Sequence, residues 1–331
     1  MAKRIGILGA GTFGVSLAAV LDTAGHDVCL WSALPEEILL LSKERCHPRL
    51  PALHLSDRVL LTSDISLVCK EKDMLLFAVP SPFVRATAER IKPFWKPDTL
   101  IADVAKGIEP DTLLTMSGVI RSVLGDDARI VALSGPTHAE EVALFMPTTI
   151  VAASENISNA ETVQGIFDGT CIRAYTNPDP LGSELCGAMK NIIALAAGIS
   201  DGIGYGDNAK AALITRGMAE ITRLGLAMGC DARTFSGLSG IGDLIVTATS
   251  PHSRNGKAGR LIGGGMSTED ALKQVGMVVE GVNALPAAIS LSKKYKVELP
   301  ITQAAYAVVK EGADPQACVA RLMTRTRKSE F

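Results

Sequence analysis

"RIGILGAGTFG", residues 4–14, decides how the first half of the chain folds. It opens with an apolar run of strand length, and "GVSLAAVLDTAG", residues 14–25, continues as a helical pattern. The turn between them, Gly9-Ala10-Gly11-Thr12-Phe13-Gly14, is a GxGxxG. Gly9 permits the tight turn, Gly11 lets a pyrophosphate approach the backbone, and Gly14 lets helix and strand pack closely. The helix start offers free amides and a positive dipole end to phosphates. This strand–turn–helix context favours dinucleotide binding over a plain glycine-rich turn.

Outward from this turn, "DVCLW" (27–31) reads as the next strand, with a helical stretch after Pro35. "VLLT" (59–62), "MLLFAVP" (74–80), "TLIADVA" (99–105) and "IVALSG" (130–135) are further strands, with helical spacers after most of them. Strands that are apolar throughout and alternate with helices imply a parallel sheet covered on both faces. "TTIVAAS" (148–154) and "CIRAYT" (171–176) extend it. Beyond residue 177 strands stop, and helical patterns follow over 181–197, 207–228, 253–262, 267–275 and 281–294. Two prolines in "NPDP", 177–180, mark the boundary. The expected architecture is α/β: a Rossmann-like dinucleotide-binding domain over 1–180, mostly parallel, and an all-helical substrate-binding and catalytic domain over 181–331.

Bulk properties narrow the function. The 331 residues suit about two domains, and 47% hydrophobic content supplies a large core. With 33 basic against 35 acidic residues there is no electrostatic case for nucleic acid or an anionic membrane as partner. Seven scattered cysteines without a CxxC pair read as reduced thiols in a cytosol, so a cytoplasmic location is expected. The five histidines show no metal-ligand spacing with them, and no metal is expected. "MAKRIGILGAG" turns glycine-rich too early for a secretory signal. No uncharged apolar run is long enough for a membrane span. The basic end, "TRTRKSEF" (324–331), reads as a frayed tail.

Several polar residues interrupt apolar surroundings. Lys190 is the only charge in residues 186–200, and Gly187, Ala194, Ala197 and Gly198 share its helical face. Burying an unpaired ammonium is costly, so such a lysine has a depressed pKa or a fixed anionic partner. Either suits proton transfer near neutral pH, against the plainer reading of a lysine reaching solvent at a domain seam. Lys106 in "ADVAKGIEP" and Asp243 in "GLSGIGDLIVTAT" are similarly isolated, and three such residues of mixed sign suggest one cleft. Thr137 and Glu140 in "SGPTHAE", 134–140, have capping-box spacing, which predicts a helix start lining the cleft or an ordinary capped loop. Ser253-Arg254-Asn255 reads either as an N-cap with a surface arginine or as an anion site suited to a phosphate. After the second strand, Trp31-Ser32-Ala33-Leu34 follows and the first acids are Glu36 and Glu37, which places neither a carboxylate for a ribose 2′-hydroxyl nor an arginine for a 2′-phosphate. That argues against strict NAD specificity without establishing NADP.

Taken together, "GAGTFG", "VPS" (79–81), "AKGIE" (105–109), "SGPTHAEE", "GAMKNIIALAAGISDGIGYGDN", "GIGDLIVTATSPHSRN" and "VVEG" (278–281) resemble the bacterial NAD(P)-dependent sn-glycerol-3-phosphate dehydrogenase family. The likeness runs from residue 5 to about 312. It implies reversible reduction of dihydroxyacetone phosphate to sn-glycerol 3-phosphate by NADPH or NADH, feeding glycerophospholipid synthesis. It implies Lys190 as proton donor and acceptor, with Lys106 and Asp243 in the catalytic set. Lys106, Gly135, Thr137, Lys190, Asn191, Asp243, Ser253, Arg254 and Asn255 fall on substrate-contacting positions. Thr12, Phe13, Trp31, Ala33, Lys106, Ala139, Arg254, Val278 and Glu280 fall on cofactor-contacting positions, beside Gly9, Gly11 and Gly14. Ala33 departs from the arginine or histidine often found there. A small phosphorylated substrate is the expected partner, and a homodimer is open. The alternatives are a two-domain dehydrogenase of a 3-hydroxy acid or sugar acid, and a non-catalytic dinucleotide-binding redox sensor.

Overall fold

The computed structural model describes residues 2–327 and 329; Met1 and, from the basic tail, Lys328, Glu330 and Phe331 lie outside the described residues. The first part alternates strands and helices: β1 (Arg4–Leu8), α1 (Thr12–Thr23), β2 (Asp27–Trp31), α2 (Pro35–Glu44), β3 (Leu60–Thr62), α3 (Ile65–Cys69) and β4 (Met74–Phe77). It continues with α4 (Val84–Ile91), β5 (Leu100–Asp103), α5 (Met116–Leu124), β6 (Ile130–Ser134), α6 (Ala139–Ala143), β7 (Thr148–Ala153), α7 (Ile157–Ile166) and β8 (Ile172–Asn177). Among the described residues only helices follow: α8 (Pro180–Ile203), α9 (Asp207–Ala227), α10 (Ala232–Phe235), α11 (Asp243–Thr249), α12 (Arg254–Gly263), α13 (Thr268–Val275), α14 (Glu280–Tyr295), α15 (Pro300–Glu311) and α16 (Pro315–Met323).

The strands form one sheet in the order β3-β2-β1-β4-β5-β6-β7-β8. Strand order reverses between β1 and β4, the kind of switch point beyond whose carboxyl strand ends open α/β sheets bind their ligands. One core covers the face under α1, α6 and α7; a second, around Phe77 and Trp31, covers the other. The sheet is parallel except that β7 runs against β6, and β8 then runs parallel to β7. The connection through the five-residue α6 is too short to cross the sheet, so β7 starts at the end that β6 has just left.

The 24-residue α8 is the axis of the helical part, about 36 Å long at 1.5 Å per residue. It is buried on nearly every side, as an all-round apolar helix must be. It runs six residues past the predicted end at 197, starting where Asp179 caps the Gly182 amide and ending at left-handed Gly204. Helices α8 and α12 meet backbone to backbone. A Cβ on Gly198 would stand 2.4 Å from the Gly256 carbonyl oxygen, and one on Gly259 would stand 2.3 Å from that of Leu195.

Two helices without a capping side chain of their own borrow one. Helix α15 receives Glu220 of α9, whose carboxylate accepts from Ile301 N and from Thr302 N and Oγ1. Helix α5 receives Glu184 of α8, which accepts from Ser117 N at 2.7 Å, Ser117 Oγ at 2.5 Å and Thr115 Oγ1 at 2.9 Å. Glu184 therefore pins the axial helix to the end of the β5–α5 loop. Replacing it by alanine leaves three donors in a buried seam. Glu184→Ala is expected to lose on the order of 1–3 kcal/mol in urea unfolding, with Glu184→Gln losing less because one acceptor remains. Equal stability of the alanine variant and the parent would contradict this role.

Candidate active site

Asp243, the first residue of α11, is 1% exposed, and each of its carboxylate oxygens takes one ammonium. Oδ1 accepts from Lys190 Nζ in the middle of α8, and Oδ2 accepts from Lys106 Nζ at 2.7 Å. Lys190 also donates to Thr247 Oγ1 at 2.7 Å, and that hydroxyl donates to the Asp243 carbonyl. Lys106 makes a second bond, 2.9 Å to the carbonyl of Gly135. Lys106 follows β5 and Gly135 follows β6, so two neighbouring strand ends and two helices converge on one carboxylate.

The electrostatics follow from this geometry. Lys190 is 5% exposed. Burial pushes its pKa down to about 7, Lys106 nearby adds to the lowering, and Asp243 opposes it. A lysine so placed can give or take a proton near neutral pH. Asp103, at the end of β5, accepts from the Ala105 amide at 3.1 Å and so turns the loop that presents Lys106. Burial and the neighbouring Glu184 hold the Asp103 carboxyl well above its usual range.

The glycine turn has the shape a dinucleotide requires. Gly9, at φ +122°, donates to the Trp31 carbonyl at 2.9 Å, and a Cβ there would lie 2.8 Å from the Ala78 backbone after β4. A Cβ on Gly14 would collide with the Gly9 carbonyl at 2.0 Å. Gly11, by contrast, faces open space at the start of α1, where a pyrophosphate can reach the helix amides. Thr12 and Phe13 form the first helical turn, with Phe13 packed against the core. Ser16 of that helix donates to the carbonyl of Ala139, which brings α6 alongside.

The other predicted residues have partners of their own. Ser253 caps α12 by accepting from the Gly256 amide at 3.1 Å. Arg254 is exposed and donates to the Val278 carbonyl at 3.2 Å. Glu280 accepts from Ser81 N and Ser81 Oγ, which joins "VVEG" to "VPS". Asn191 and Asn255 form a buried amide chain: Asn255 Nδ2 donates to Asn191 Oδ1 and the Gly281 amide donates to Asn255 Oδ1.

Three expectations need correction. The capping box at Thr137 does not form: α6 starts after His138 without a side-chain cap, and Thr137 Oγ1 donates to the Gly135 carbonyl instead, because the positive φ of Gly135 (+140°) turns that carbonyl within its reach. The Trp31 indole is 1% exposed, donates to the Ser63 carbonyl and lies under the Arg90 guanidinium, so only its backbone meets the glycine turn. Nor is the end of β2 without a carboxylate. Ala33 is exposed and bare, but α2 begins at Pro35 and its first turn carries Glu37 back beside Ala10, Gly11 and Thr12. The sequence reading also passed over Thr247, one helical turn after Asp243, and Glu184, just outside the apolar run. The spacing DxxxT and a lone acid beside that run were the available signals.

These features are those of a two-lobed dehydrogenase, and the comparisons agree. Two family models match, described as the N-terminus (residues 4–160) and the C-terminus (residues 179–320) of NAD-dependent glycerol-3-phosphate dehydrogenase. The chain belongs to this family. It is 56% identical to the glycerol-3-phosphate dehydrogenase (NAD(P)+) 2 of Lactobacillus delbrueckii subsp. bulgaricus, over 99% of both chains. Identity to the glycerol-3-phosphate dehydrogenase (NAD(P)+) of Bacillus subtilis is 48%, over 99% of this chain and 96% of that one. The crystal structure of glycerol-3-phosphate dehydrogenase from Coxiella burnetii superposes with a TM-score of 0.94 at 35% identity, covering 98% of this chain and 99% of that one. Among the described residues no helix is long and apolar enough to cross a membrane.

Because one carboxylate balances two ammoniums, its removal exposes their repulsion. Asp243→Ala is expected to lose roughly 3–5 kcal/mol in denaturant unfolding at neutral pH. The double variant Asp243→Ala/Lys190→Met should recover part of that loss. A double variant no more stable than the single one would contradict the shared-counterion arrangement.

Proposed function

We propose that this chain reduces dihydroxyacetone phosphate reversibly to sn-glycerol 3-phosphate with NADPH or NADH, and that Lys190 gives the proton in reduction and takes it in oxidation. The observation that carries the reading is the pair of lysines on one buried aspartate, at the carboxyl ends of β5 and β6, on the same edge of the sheet as the glycine turn. The nicotinamide cofactor, when bound, supplies or accepts the hydride. The chain supplies everything else: Gly9, Gly11, Gly14 and the start of α1 receive the pyrophosphate, and Phe13, Ala139, Val278 and Glu280 lie along the same cleft.

At the substrate, the C2 carbonyl oxygen gains negative charge as the hydride arrives, and the Lys190 ammonium meets that charge with a proton. Lys106 adds positive charge nearby, and Asp243 with Thr247 fixes the direction of the Lys190 amine. Arg254, beside Ser253 and the amides that open α12, clamps the remote phosphate by exchanging its carbonyl partner for phosphate oxygens. Asn191 and Asn255 hold α8, α12 and α14 in the register that aims Arg254 and Lys190 at one molecule. Binding the phosphate far from the reacting carbon fixes the carbonyl in place. We place the enzyme in the cytoplasm, a reading supported by its seven free thiols, and its product in glycerophospholipid synthesis, a reading supported by the family resemblance.

Lys190→Ala is expected to lower kcat by about 10²–10⁴-fold while the fold survives; near-normal turnover would remove the mechanism. In the parent enzyme ketone reduction needs the protonated amine and should fall as pH rises through about 7, whereas oxidation needs the neutral amine and should rise over the same range. Opposite trends in initial rates would overturn the assignment. Arg254→Ala should chiefly raise KM for the phosphorylated ketone, and an unchanged KM would refute the clamp.

A further inference from the structure

A cavity of about 400 Å³ adjoins the glycine turn, floored by Ala10, Gly11 and Thr12 and walled by Glu37, His47 and Arg49. Its position, between the glycine turn and helix α2 with the loop after it, is on the side of that turn where the adenosine ribose of a dinucleotide lies in this fold. Resting on the dehydrogenase reading above, we propose that Glu37, oriented by Ser32, reads that ribose and makes the chain favour NADH over NADPH.

The Glu37 carboxylate is not free to swing. Ser32, the first residue past β2, donates its hydroxyl to Glu37 Oε2 at 2.6 Å, while the same hydroxyl oxygen accepts from the Leu34 amide at 3.1 Å. The short loop therefore holds one carboxylate oxygen of Glu37, a residue that lines the cavity. A carboxylate there accepts from a ribose hydroxyl and repels a 2′-phosphate. Neither Ala33 nor Leu34, which follow Ser32, carries a charge that would offset that repulsion. Burial and the adjacent Arg49 push the His47 pKa below its ordinary value, more than Glu37 raises it, which disfavours positive charge there. Arg49 is the remaining cation of the cavity wall, and its Nη2 donates to the Gly276 carbonyl at 3.0 Å. It thereby ties the α2–β3 loop to the segment before α14, two residues from the carbonyl that Arg254 holds. The carboxylate held by Ser32 favours the unphosphorylated ribose, and Arg49 is the group of the cavity lining that opposes it.

The test is equilibrium binding of NADH and NADPH by calorimetry to the parent, Glu37→Gln and Arg49→Gln, with rates of dihydroxyacetone phosphate reduction measured in parallel. In the parent NADH should bind about tenfold or more tightly than NADPH. Glu37→Gln should bring the two within about threefold, mainly by strengthening NADPH. Arg49→Gln should weaken both alike. NADPH binding the parent as tightly as NADH, or an unchanged preference in Glu37→Gln, would overturn the proposal. So would a selective loss of NADPH in Arg49→Gln, which would give the cavity to a 2′-phosphate. Failure of both dinucleotides to bind the parent would instead sink the dehydrogenase reading itself.

Discussion

Everything in this molecule converges on the sharing of one buried carboxylate by two ammoniums. Asp243 alone would be a costly buried anion, and Lys190 alone a costly buried cation. Together they are tolerable, and Lys106 tips the cluster towards positive charge. That excess suits a substrate that enters as an anion and develops further negative charge at its carbonyl oxygen. The same balance explains why Lys190 sits near neutrality: burial and Lys106 pull its proton affinity down, and Asp243 keeps it from falling further.

Such a cluster needs rigid supports, because its members come from four elements. Glycines let α8 and α12 touch backbone to backbone, so Lys190 and the Ser253–Asn255 corner keep a fixed spacing. Glu184 bolts α8 to the end of the loop that carries Lys106, and Asp103 turns the beginning of that loop. Asp243 gains its direction from the first turn of α11, where Thr247 closes back on it. The polar seam between sheet and helices is therefore also the frame of the reacting groups.

Much of this was legible in the residues. The GxGxxG after an apolar run specified the strand, the turn and the helix, because each glycine answers a separate steric demand. All eight strands stood out as apolar segments, and Lys190 declared itself as one charge among small and apolar neighbours. What escaped had weaker local signals. The reversal of β7 depends on the length of a crossing that sequence periodicity does not measure. Helices α10 and α11 are too short to show a period. The failed capping box at Thr137 reflects competition from a carbonyl exposed by Gly135, and Glu37 lines a cavity with the glycine turn only because α2 folds its first turn back. Partners distant in sequence, such as Glu184 with Ser117 or Asp243 with Lys106, leave no local pattern at all.

The central claim is that the amine of residue 190 titrates near neutrality because it is buried on a shared aspartate. Heteronuclear NMR of the lysine side chains against pH tests it directly, with Lys190→Met used to assign the resonance. The account predicts a midpoint close to 7, moving lower still in Asp243→Asn. A midpoint above 10, as for a lysine in water, would contradict it.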